Sequence, residues 1–160
     1  MTPEERRNFV GAHRTAILGY ARRHDGPALS AVYYVTDGDE ILVSTPGARA
    51  KTRAIARNPK VSLCVLDEKY PPSYVTLFCD AVVDEDFDLA VDVAFRVAQR
   101  IIGAELGEEV RPFVADDALK EKRVTLRLTP YATYATPPRH GDGIAQPEAA
   151  PDKAALPWGS

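Results

Sequence analysis

A chain of 160 residues, 45% of them apolar and with a formal charge of -3, has the size and composition of one domain around one core. Its slight acidity gives no overall attraction to nucleic acid or anionic membranes, so any anion site must be local. No apolar run approaches a bilayer span and the first twenty residues are charged and polar, so a cytoplasmic protein with neither membrane nor nucleic-acid partners is expected.

Thr2-Pro3-Glu4-Glu5 has the pattern of a capped helix start. Phe9, Val10 and His13 then share a face, which suits a short helix lidding one end of a barrel, with His13 as a packing residue. Ala16 to Arg22 reads as a strand, because His24-Asp25-Gly26-Pro27 makes a turn and the β-branched, aromatic run Leu29 to Thr36 needs a partner. Asp37-Gly38 marks a tight hairpin into a strand from Glu40 to Ser44.

Next comes the stretch with the most chemistry. The strand Ile41-Leu42-Val43 delivers Ser44-Thr45-Pro46-Gly47 to a basic helical turn with Arg49 and Lys51. Hydroxyls and free backbone N–H groups at a helix N-terminus form a concave donor site, and the helix dipole favours an anion there. Arg49 adds a planar fork and Lys51 a mobile charge, a pairing suited to a phosphate ester. The alternative is a capped surface helix on which Arg49, Arg53 and Arg57 form a solvated stripe.

Two further strands, Lys60 to Asp67 and Tyr74 to Asp84, are joined by a rigid aromatic loop containing Tyr70-Pro71-Pro72. In that hairpin Cys64 and Cys79 would lie nearly opposite one another, and reduced structural thiols are expected rather than a disulfide. His13, His24 and His140 are scattered, so no metal-ligand spacing appears and no metal is expected. Asp86 to Ile102 is an amphipathic helix ending at Gly103, its early aspartates compensating the dipole. Val110 to Asp117 adds a helical piece, and Arg123 to Thr129 alternates as a closing strand. About six strands, one helix inserted after the third and another before the last give a mainly β fold, a small antiparallel barrel with peripheral helices. The domain is expected over 1–136. Residues 137–160 form a Pro/Ala-rich tail with little to bury, expected to be disordered unless Trp158 anchors it on an apolar groove.

Ser44-Thr45, then Arg49-Ala50-Lys51, then Asn58-Pro59-Lys60-Val61 opening a strand resemble the split β-barrel flavin and deazaflavin oxidoreductases, above all the pyridoxamine phosphate oxidase-like branch that uses coenzyme F420. The likeness begins near His13-Arg14, passes through Asp25-Gly26-Pro27 and Ser30-Ala31-Val32-Tyr33-Tyr34, and fades after Tyr134. It implies a six-stranded FMN-binding split barrel that is homodimeric, with the cofactor in a groove between protomers. Ser44, Thr45, Arg49 and Lys51 would hold the cofactor phosphate, and Ser30, Ala31, Val32 and Tyr33 would border the ring. Two positions depart from the family pattern: Tyr20 stands where Thr is common, and Ala54-Ile55 replaces Asn-Leu.

A barrel of this size fills its own interior, so a large cofactor must sit outside it. The redox step requires no catalytic side chain, because the cofactor carries the hydride while the protein orients it; Tyr20, Tyr33 and Tyr74 are the named proton-donor candidates. Three functions use the same grip: an F420-dependent reductase acting on a small conjugated or heteroaromatic substrate, an FMN-dependent oxidase of the pyridoxamine phosphate type, and a non-catalytic flavin or tetrapyrrole binder. The absence of an Arg-rich C-terminal motif weighs against the oxidase.

Overall fold

The computed structural model describes residues 1–69, 72–135 and 158. Helix α1 (Pro3–Ala12) leads into strands β1 (Thr15–Tyr20), β2 (Ala28–Tyr33), β3 (Val35–Asp37) and β4 (Glu40–Pro46). Helix α2 (Ala50–Arg57), strands β5 (Lys60–Asp67) and β6 (Ser73–Asp84), and helix α3 (Phe87–Ile102) follow. A 3-10 turn (Glu108–Val110) runs into α4 (Arg111–Lys120), and β7 (Arg123–Ala135) closes the order. The capping box predicted for α1 is present, with the Glu5 N–H donating to Thr2 and the Thr2 N–H to Glu5.

Among the described residues seven strands, not six, pair antiparallel in the order β2-β1-β5-β6-β7-β4-β3. The extra strand arises because the run expected as one strand, Leu29 to Thr36, divides at Tyr34. Its first half pairs with β1 and its second with β4. Tyr34 makes the corner: its N–H donates to the Arg14 carbonyl at 3.2 Å, and its buried hydroxyl donates to the Val10 carbonyl at 2.6 Å. Changing partners curls the sheet until β2, at one edge, touches β4 near the other, as a split barrel requires. Gly38 takes φ 57° in the β3–β4 hairpin, a conformation that favours glycine.

Leu18, Ile41, Val43, Leu63, Leu77, Leu126 and Leu128 fill the interior and are fully buried. On the other side of β3 and β4, Val35 and Leu42 pack against Val93 of α3. Strand β7 runs six residues past its expected end at Thr129, and beyond a register shift at Phe78/Cys79 it stays paired with β6 as far as Ala135. The cysteines are not opposite one another as expected: Cys64 pairs with Thr76 and Cys79 with Val61. An odd residue spacing puts them on opposite faces of the sheet, so both remain free thiols, and burial pushes the Cys79 thiol up to about 12.

Trp158 is 5% exposed and belongs to the same core, with the Arg7 guanidinium 5.4 Å from its ring centroid. Of the two states weighed for this indole, the anchored one is found. The expected boundary at 136 and the rest of the tail lie outside the described residues, as do Tyr70 and Pro71 of the aromatic loop. Among the described residues no helix is long and apolar enough to cross a membrane.

Candidate functional site: a cationic grip at the start of α2

Strand β4 ends at Pro46 and α2 begins at Ala50, with Arg49 as the N-cap. No side chain caps this helix, so its positive end is left without an acidic or hydroxyl partner. The linker is fixed from outside: the Gly47 N–H donates to the Lys122 carbonyl at 2.9 Å. That bond removes one of the N–H groups expected to be free for an anion. It also explains the glycine, because a Cβ at position 47 would stand 2.8 Å from the same carbonyl oxygen.

Arg49, Lys51 and a third cation, Arg123, converge here. Lys51 is held below its ordinary pKa, first by burial and then by the charges of Arg49 and Arg123. The Arg123 Nη1 donates to Ser44 Oγ at 3.1 Å and its Nε to Glu121 at 2.6 Å. Nothing local in the sequence marks Arg123 for this site. It arrives opposite Pro46 only through the β4–β7 register.

The two hydroxyls expected to act together are divided by the pleat. Ser44 shares a face with Arg123, whereas Thr45 points into the barrel, 2% exposed, with its hydroxyl buried and unpartnered among the described residues. Strand β2 is divided likewise. Ser30 and Val32 face inward, Ser30 with a buried, unpartnered hydroxyl, while Ala31 and Tyr33 are exposed. The three tyrosines are also set apart. Tyr33 stands on the outer sheet face, Tyr74 pairs with the Tyr134 ring at 5.8 Å, and Tyr20 lines a groove beside α2. His13 packs on Phe9 and bonds its carbonyl, as a packing residue should.

The groove containing Tyr20 has a volume of about 250 Å³ and extends the cationic surface along α2 through Arg22, Arg23, Arg53 and Arg57. Arg22 is paired with Asp25 at 2.8 Å, and Arg53 donates to the Ala48 carbonyl. Arg23 and Arg57 have no acidic partner among the described residues. Ala54 and Ile55, the second departure from the family pattern, are buried beneath α2, a packing role. Among the described residues no group of His, Cys, Asp and Glu side chains could hold a metal ion.

Three cations, an uncapped helix N-terminus and a serine hydroxyl can hold a phosphate, and among the described residues no acid except Glu121 is paired with them. Comparison with known proteins gives the family and the fold. A family model described as pyridoxamine 5'-phosphate oxidase matches residues 2–136. A conserved hypothetical protein, Rv2991, from Mycobacterium tuberculosis is 25% identical with a TM-score of 0.74, covering 90% of this chain and 94% of its own. A FAD-binding protein from Mesorhizobium loti shares the fold at 17% identity and TM-score 0.65, over 84% of this chain and 94% of its own. An F420 reductase does so at 21% and 0.58, over 76% and 89%. No curated protein matches the sequence.

Proposed function

Because the chain belongs to the pyridoxamine 5'-phosphate oxidase family of flavin-binding proteins, we propose that it is a homodimeric oxidoreductase that binds coenzyme F420 and reduces a small conjugated or heteroaromatic substrate. The observation that carries this reading is the convergence of Arg49 and Arg123 on the partly buried Lys51, which burial first and those two charges second hold below its ordinary pKa. Three cations that share the single counter-charge of Glu121 are unfavourable until an anion joins them, so the arrangement suits a ligand phosphate. Arg49, Lys51, Arg123 and Ser44 would hold that phosphate. When bound, the deazaflavin supplies the hydride.

The groove beyond the grip favours F420 over FMN. FMN ends in a phosphate monoester, whereas F420 continues through a phosphodiester into carboxylates, and Arg23 and Arg57 stand along α2 where such carboxylates would need counter-charges. One structural neighbour is an F420 reductase. The dimer is supported by the outer face of β2, β1 and β5. There Leu29, Ile17, Tyr33 and Leu66 are 70%, 41%, 43% and 47% exposed, although a solvated face of an antiparallel sheet would be polar. A second protomer on that face would exclude water from the ring and complete a groove that one barrel cannot enclose.

Fluorescence titration of the purified chain with F420 and with FMN tests the proposal. F420 should bind more tightly, and Arg49→Ala and Lys51→Ala should each weaken it roughly ten- to more than a hundredfold, the scale of one charge-assisted bond. Equal affinity in wild type and both variants would remove the grip from the binding site. Tighter binding of FMN would replace the cofactor while leaving the grip in place.

A further inference from the structure

A separate cavity of about 640 Å³ opens between the α1–β1 junction, β3 and the carboxyl end of α3. None of the grip residues lines it. Arg14, Arg96 and Arg100 do, together with Gln99, Thr36 and one carboxylate, Glu105.

Each arginine is held along one edge by backbone carbonyls. Arg14 Nη1 donates to the carbonyls of Arg100 at 2.9 Å and Ile101 at 3.1 Å. Arg96 Nη2 donates to the Thr36 carbonyl at 2.6 Å, with Asp92 3.7 Å from its Nη1. Arg100 Nη2 donates to the Gly11 carbonyl at 2.7 Å and to that of His13. Carbonyls take part of each fork and neutralise none of its charge. Arg100 Nε is buried and has no partner among the described residues. Gln99 Oε1 accepts the Leu106 N–H at 3.0 Å, which fixes the amide and leaves its NH2 for another acceptor. The result is a set of donors ordered before any ligand arrives, so ordering them adds little to the cost of binding. Val35 and Ala104 give the cavity an apolar wall.

We propose that this cavity is a second binding site, for a small organic acid whose carboxylate takes the remaining donors of Arg14, Arg100 and Gln99 and whose carbon skeleton lies on the apolar wall. The planar fork of an arginine matches a carboxylate, and a volume of this size accommodates a small molecule. The site is independent of the cofactor grip and does not rest on the identity of the cofactor.

The test uses calorimetric titration of the full chain with succinate and with its uncharged diamide. Replacing the arginines would loosen the fold, so the variants leave them in place. Glu105→Gln removes the only acid among the described residues of the lining and should tighten succinate binding several-fold. Gln99→Glu keeps an acceptor for the Leu106 N–H while adding a negative charge, and should weaken binding about fivefold, the scale of one solvent-exposed charge pair. Neither should change the melting temperature by more than a degree or two, and Lys51→Ala should bind succinate as wild type does. The proposal is overturned if succinate does not bind wild type at millimolar concentration, if the diamide binds as well, if the two variants bind equally, or if Lys51→Ala abolishes binding.

Discussion

Two arginine-rich regions sit at opposite kinds of helix end and behave oppositely. At the carboxyl end of α3, Arg14 and Arg100 meet carbonyl oxygens and a negative helix pole, so their charges stabilise the fold. At the amino end of α2, Arg49, Lys51 and Arg123 meet a positive pole and one another, so their charges oppose it. A count of basic residues does not separate the two. The separation comes from what each cation touches: carbonyl acceptors tie Arg14 and Arg100 to the fold and leave only part of each fork for a ligand, whereas the grip cations crowd one another. Removing a clasp arginine should therefore damage stability and spare cofactor binding, while removing a grip cation should do the reverse.

A packing loss free of charge sets the scale for that contrast. Trp158→Ala empties a core position remote in sequence from the domain, and should lower unfolding free energy by about 3–5 kcal/mol, read from the denaturant midpoint. A loss under about 1 kcal/mol would mean that the indole adds little to the core it packs against. Arg100→Ala comes next. It leaves the Gly11 and His13 carbonyls without their charged donor and should cost about 1.5–3 kcal/mol, with F420 affinity unchanged. If affinity falls and stability does not, the assignment of clasp and grip is inverted. Arg123→Ala should be the mildest of the grip changes, weakening cofactor binding roughly tenfold, because Glu121 already shares its charge. An effect as large as that of Arg49→Ala would show that Glu121 does not screen it.

The sequence carries signals for some of these features and not for others. The α1 capping box, the Asp37-Gly38 hairpin, the Gly103 cap of α3 and the α2 turn bearing Arg49 and Lys51 are local, and each sits where its residues predict. The break at Tyr34 was hidden because both halves of the run are equally β-favouring; the choice between β1 and β4 as partner is made by the Tyr34 hydroxyl and N–H, which reach Val10 and Arg14. Arg123 was hidden for a similar reason: only pairing between β4 and β7 brings it to Ser44. Pleating likewise decides that Ser44 and Thr45, neighbours in sequence, face different sides. Trp158 shows that a polar, Pro-rich context does not predict the fate of the one large apolar residue in it.

The last prediction concerns pH and follows from Lys51. Its folded pKa lies below the ordinary 10.5, while in the unfolded chain it returns to that value. Between the two, the unfolded state holds more protons, so stability rises with pH across that window; below it the penalty of burying a charged ammonium beside two other cations is fully present. An anion seated on the grip reverses the preference, because it favours the charged ammonium. Phosphate affinity should thus be greatest below the lowered pKa and fall as pH rises through it, with a proton taken up on binding inside the window. Calorimetry in buffers of different ionisation enthalpy measures that proton directly. Lys51→Met should lose both the alkaline gain in stability and the proton uptake, and Arg100→Ala should keep them. The same slope in wild type and Lys51→Met would place the titrating group elsewhere and leave the crowding of Lys51 without a functional consequence.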